Sequence, residues 1–182
     1  MLVPVTDAML ETAEARIVAA LARGNSGPGE LVTGFVAYSG ADVREQAVLG
    51  LVAELAVARA FHVELPDTVG PDGGFDLWLN GRSVQVKWNN YVTGDFYGRP
   101  DLPMRADYGV LVVPATPGSV RLRGVLTRGE YEEWAEAKSY GYNTVRAVSP
   151  HRLHPIETLL WPWLERPFAA PGYVSPPNLG SG

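Results

Sequence analysis

The sequence predicts an α/β protein built on one mixed sheet with helices packed against it. Two stretches near the start, residues 6–23 and 42–61, repeat apolar residues at helical spacing. Asn80-Gly81 lies between two alternating runs, the signature of a two-residue hairpin turn. "YGVLVVP", Tyr108 to Pro114, is almost continuously apolar, as in a strand buried on both faces. The order of helix, helix, strand group, helix and short strand belongs to an α/β arrangement.

In the first helix, Thr6 or Asp7 serves as cap, and Leu10, Ala13, Ile17, Ala20 and Leu21 form the apolar face. "GNSGPGE", Gly24 to Glu30, breaks the chain. Asp42 caps the second helix, "VREQAVLGLVAELAVARAF", which ends near Phe61. The Pro- and Gly-rich loop from Pro66 to Gly74 leads into the hairpin. After Tyr108–Pro114, "SVRLRGVLT" alternates as a further strand. "RGEYEEWAEAKSY" then reads as a helix, with Thr127 and Glu130 at capping-box spacing. "YNTVRAVSP" suits a short edge strand, and "PIETLLWPWLE" a short helix broken at Pro162. A single domain is expected over residues 1–165, with a core at about 40–150 and the first helix packed on it. Residues 166–182 read as an extended or disordered Pro/Gly-rich tail.

The chain has 182 residues, 46% of them hydrophobic and only 19% charged, so a charge inside a patterned element is informative. The formal net charge of −5 and pI of about 5.2 argue against coating nucleic acid by bulk positive charge. They leave room for a confined basic surface. The absence of cysteine excludes disulfides and thiolate zinc sites. No apolar run reaches the roughly 20 residues of a membrane span, and the N-terminus lacks a signal-peptide pattern. A cytoplasmic protein without a membrane partner is expected. With no Gly-rich phosphate loop, no nucleotide cofactor is expected.

The hairpin concentrates polar chemistry. Strand alternation puts Phe75, Leu77, Leu79, Val84, Val86 and Trp88 on one face and Asp76, Trp78, Ser83, Gln85 and Lys87 on the other. A two-residue turn places Asp76 across from Gln85, with Lys87 further along the same face. Oxygen ligands so close suit a hard cation such as Mg²⁺, and a neighbouring lysine could hold the attacking water or offset charge on a phosphate. The same residues also suit the solvated face of an edge hairpin. Glu54 adds weight, because its helical neighbours Gly50, Leu51, Val57 and Ala58 are small or apolar. A carboxylate in such surroundings should be paired, protonated or metal-bound. One alternative is a salt bridge to Arg59 or Arg82; the other is that it points toward Asp76 and Gln85.

A helix glutamate, then Asp in the first strand of a hairpin, then Gln-Val-Lys in the second resembles the PD-(D/E)xK nuclease superfamily. The resemblance is to its small phage-type or resolvase-like members and covers Gly40 to Pro150. It implies a restriction-endonuclease-like αβββαβ core and a metal-dependent DNA endonuclease. It further implies that Glu54, Asp76 and Gln85 bind Mg²⁺, with Mn²⁺ able to substitute, and that Lys87 assists the attacking water. Pro71-Asp72 offers a second "PD", but it lies beyond the paired part of the strand. Gln85 departs from the family's acidic residue, which keeps open an inactive module that binds nucleic acid or a partner protein. A homodimer would fit the resemblance.

For DNA contacts, Ser83, Trp88, Asn89, Asn90, Tyr91, Arg121 and Arg123 are the candidates, with Arg99, Arg105, Arg146 and Arg152 adding to the basic supply. The segment from Lys87 to Asp101 reads as a substrate-facing loop. "HRLH", His151 to His154, reads as a loop feature.

Overall fold

The computed structural model describes residues 1–22, 40–66, 74–140 and 143–160. The break at Gly24–Glu30, the alternative Pro71-Asp72, Trp161 to Trp163 and the tail lie outside the described residues. The chain runs β1 (Leu2–Pro4), α1 (Asp7–Ala22), α2 (Gly40–Phe61), β2 (Leu77–Leu79), β3 (Arg82–Trp88), β4 (Phe96–Gly98), β5 (Tyr108–Pro114) and β6 (Ser119–Thr127). It continues through α3 (Arg128–Trp134), β7 (Glu136–Tyr140), β8 (Asn143–Val148) and a 3₁₀ turn at Ile156–Leu160.

The α/β class and a mixed sheet flanked by helices are both present. The main sheet has five strands in the order β1-β6-β5-β3-β2. Among the described strands the β3–β5 pair is parallel, and the β1–β6, β5–β6 and β2–β3 pairs are antiparallel. The strands do not all join one sheet, because β4, β8 and β7 form a second sheet of three. β5 separates two cores, as its composition predicts. Val110 and Val112 pack with Ala13, Ile17, Leu51 and Val57 from α1 and α2. Leu111 and Val113 pack on the opposite face with Phe96, Leu126, Tyr131 and Val148.

Several expectations change. Leu10 is exposed, and the buried stripe of α1 runs through Met9, Ala13, Ile17 and Ala20. α2 begins at Gly40, so Asp42 lies within its first turn instead of capping it. The helix after Thr127 stops at Trp134, because Ala135 turns extended and Glu136–Tyr140 pairs with β8. Ladder hydrogen bonds there outweigh the local helix preference of "AEAK". The capping box holds: Thr127 Oγ1 accepts from Glu130 N at 3.2 Å, and Glu130 Oε2 accepts from Thr127 N at 2.8 Å. Asn80 and Gly81, with φ of 50° and 76°, form the expected tight turn, and its register pairs Leu77 with Val84, Trp78 with Ser83 and Leu79 with Arg82.

Candidate functional site

The site begins where the hairpin ladder ends. Alternation alone would carry the pairing on to Asp76 and Gln85. Instead Asp76 N donates to Val84 O at 2.8 Å, the residue already opposite Leu77. Two residues therefore meet one, as in a β-bulge, and the strand bends. Phe75 is carried to the opposite face from its expected place and packs with the second core, edge-on to Trp78 at 5.1 Å between ring centroids. The bulge leaves Val86 N–H without a strand partner. The Asp76 carboxylate fills that place, with Oδ2 accepting from Val86 N at 2.6 Å.

Glu54 approaches from α2, which packs on β2 and β3. It, Asp76 and Lys87 lie deep in the molecule, yet each keeps a partly accessible edge. Burial pushes the Glu54 carboxyl well above its ordinary range, and the negative charge of Asp76 adds to this; Lys87 and then Arg16 oppose it. Burial likewise raises Asp76, against the Lys87 charge and the Val86 N–H bond. Lys87 is lowered by burial and held up by Asp76 and Glu54. Groups on three elements thus share one electrostatic cluster. Of the two arginines expected as Glu54 partners, Arg59 reaches toward Met9 Sδ, and Arg82 bears on Asp107 and Tyr108. The arginine whose charge reaches Glu54 is Arg16 of α1, a residue that sequence reasoning missed. Its position beside the buried stripe of α1 is the signal that could have found it.

Gln85 and Lys87 share the face of β3 that meets the second core, since their strand neighbours are Gly109 and Leu111. They floor a cleft of about 270 Å³, walled by Phe96, Tyr97 and Tyr131 and rimmed by Arg99 and Arg105. Tyr97, Tyr131 and the two rim arginines carry no motif, and only the fold brings them together.

The other candidates are spread out. Ser83 is buried: its N and Oγ donate to Asp107 Oδ2 at 3.0 and 2.9 Å, and Asp107 N donates back to Ser83 Oγ at 3.0 Å. Trp88 packs on the first core, and its Nε1 donates to Asn90 Oδ1 at 2.6 Å. Asn90 Nδ2 in turn donates to Gln46 Oε1 on α2 at 3.0 Å. Asn89 organises the following loop, with Nδ2 donating to Asp95 O and Oδ1 accepting from Tyr91 N, each at 3.0 Å. That segment is not all loop, because Phe96–Gly98 forms β4. Tyr91 projects into solvent. Arg121 is exposed on β6, and Arg123 is the extra residue of a bulge there, where Leu111 pairs with Gly124 and Val112 with Leu122. Strand β5 lies between them and β3, a separation of roughly 10 Å. His154 bridges to Val125, and its Nε2 lies 2.7 Å from Glu130 Oε1, a structural setting for "HRLH".

Among the described residues, no group of three or more His, Cys, Asp or Glu gathers closely enough to hold a metal ion. The cluster offers two carboxylates, which is a donor set that Mg²⁺ accepts while keeping several waters. Both carboxyls are raised by burial, so an added cation would stabilise their ionised forms. No helix among the described residues is long and apolar enough to cross a membrane. Comparison with family models, characterised proteins and solved structures finds no match to this chain.

Proposed function

We propose that this protein is a Mg²⁺-dependent DNA endonuclease of the PD-(D/E)xK type, in which Glu54 and Asp76 hold the cation and Lys87 acts at the scissile phosphate. The observation that carries this reading is that Glu54, Asp76 and Lys87, from α2, the segment before β2, and β3, are all buried and near enough for charge to link them. Perturbed titratable groups gathered beside a cleft are a recurrent mark of catalytic sites.

Mg²⁺ bound there would polarise the phosphodiester and make a water more acidic. Lys87 Nζ, lowered by burial and raised back in part by Asp76 and Glu54, would in its protonated form place positive charge where negative charge develops on the phosphate oxygens. The amide oxygen of Gln85, on the same face, would orient a water without adding charge. The Asp76–Val86 bond fixes the carboxylate against the backbone of β3, so one oxygen is anchored.

The deciding experiment incubates the protein with linear, nicked, branched and single-stranded DNA, in Mg²⁺, Mn²⁺ or chelator, beside Asp76→Asn and Lys87→Met. Metal-dependent cutting lost in both variants is expected. Equal cutting by wild type and both variants would overturn the assignment.

Gln85 favours a second reading, since a neutral amide stands where the family carries a carboxylate. In that case the protein is a catalytically inactive module that binds DNA or a partner protein. Its mark would be DNA binding that ignores divalent cations and survives Asp76→Asn.

A further inference from the structure

The cleft beside the cluster holds Lys87 with Arg99 and Arg105, and an exposed aromatic side chain stands on the same face of the hairpin. Lys87 sits on its floor and Arg105 on its rim. The Arg105 side chain lies against the backbone of Gly74, where a built Cβ would stand 3.0 Å from its Cδ. Gly74 has φ of 76°, which a side chain would strain, so glycine both makes the bend and seats the arginine. Among the described residues, no carboxylate forms an ion pair with Arg105. Arg99, across the rim, forks onto Asp101 at 3.1 and 2.7 Å and is therefore largely offset.

Trp78 lies on the same face of the hairpin as the cleft floor. Its ladder partner is Ser83, and Gln85 of the cleft floor is the next residue on that face of β3. Trp78 is 52% exposed. Phe75 backs it edge-on, and Phe75 directly follows Gly74 of the cleft wall. Phe75 thus steadies the ring while much of Trp78 remains in solvent.

An exposed indole on the same face as a cleft that holds Lys87 and Arg105 suits one strand of nucleic acid: a base stacks on the ring and a phosphate meets the cations. At about 270 Å³ the cleft is at the lower end of small-ligand pockets, large enough for about one nucleotide unit. A duplex, with its bases already stacked on each other, would leave Trp78 without a base.

We propose that the cleft and Trp78 together bind one unpaired DNA strand, so that this protein acts on single-stranded DNA or the unpaired arms of branched DNA in preference to intact duplex. This deepens the nuclease reading and rests on it for the position of the scissile phosphate beside Lys87.

The test separates binding from cutting. Fluorescence anisotropy in chelator would compare a labelled single-stranded oligonucleotide with the same sequence as a duplex, for wild type, Trp78→Ala, Trp78→Phe and Arg105→Gln. The single strand should bind about tenfold or more tightly than the duplex. Trp78→Ala should weaken the single strand roughly tenfold, the size of one lost base stack, and Trp78→Phe should restore most of that. Arg105→Gln should weaken binding and flatten its salt dependence. Duplex bound as tightly as the single strand, or a single strand indifferent to Trp78→Ala, would overturn the proposal. Metal-dependent cutting of duplex that is lost in Lys87→Met, with no single-strand preference, leaves the nuclease reading standing and removes this one. A Trp78-dependent single-strand preference without cutting of any DNA supports the cleft assignment and removes the nuclease.

Discussion

Asp76 Oδ2 accepts the Val86 backbone N–H at 2.6 Å, where a longer β2 would have supplied a strand carbonyl. The same carboxylate therefore serves the fold and the proposed site. Asp76→Ala should cost stability as well as activity, because it leaves a buried N–H unpaired, worth about 1–3 kcal/mol. Asp76→Asn keeps an oxygen for that bond and removes a buried charge, so at neutral pH it should be at least as stable as wild type while losing cutting. Urea denaturation read beside cleavage checks this. Equal midpoints for Asp76→Ala and wild type would show that the Val86 bond carries no weight.

Glu54 should make the protein less stable as pH rises. Its folded value is raised above the ordinary 4.5, so its stabilising contribution is complete below that pH. The contribution is lost as pH climbs through the raised folded value. Asp76, raised from 3.8, acts in the same direction. Glu54→Gln should flatten the fall above pH 4.5 and raise the neutral-pH melting temperature. Mg²⁺ should raise the melting temperature of wild type by mass action and leave Glu54→Gln unmoved. A Mg²⁺ response of the same size in both proteins would place the cation elsewhere.

Lys87 compensates the two carboxylates, so its removal should be felt when they are ionised. Without it both are pushed up further, and at pH 5 they can protonate at little cost. At pH 8 that escape is more expensive. Lys87→Met, which keeps much of the apolar stem, should therefore lose more stability at pH 8 than at pH 5, and should lose cutting at both. A pH-independent loss would mean that the lysine acts through packing alone.

The turn, the alternation and an acidic residue among apolar neighbours made Glu54, Asp76 and Lys87 legible before the structure. These are local signals; the turn survives in the fold, while the alternation breaks at Asp76. The bulge at Asp76 was not legible, because alternation does not say which carbonyl a backbone N–H will choose. That one choice moved Phe75 across the sheet and took Asp76 out of register with Gln85. Strand β1 escaped for another reason. Three residues give no period, and Leu2–Pro4 is a strand only because Arg121, Val120 and Ser119 of β6 lie beside it. Strand β7 was hidden by helix-forming residues that pair with Asn143–Val148 instead. The cleft is the extreme case: Gln85, Tyr97, Arg105 and Tyr131 come from four separate segments, and no motif links them.

Ser83 illustrates how a polar residue on the expected face can belong to the scaffold. Its bonds with Asp107 tie the start of β3 to the residue that leads into β5, and so help to set the parallel β3–β5 pair. Burial alone would raise the Asp107 carboxyl. The two donations from Ser83 and the charges of Arg128 and Arg82 bring it below its ordinary 3.8. A lowered carboxyl stabilises the fold above that pH, and the contribution is lost as pH falls through the lowered value. Ser83→Ala removes one donor to Asp107 Oδ2 and the acceptor for Asp107 N–H. It should cost about 1–3 kcal/mol at neutral pH and less at pH 3, where the carboxyl is closer to protonation in either protein. A residue that instead touched DNA would show weakened DNA binding with an unchanged denaturation midpoint. Measuring midpoint and oligonucleotide affinity on the same variant separates the two roles.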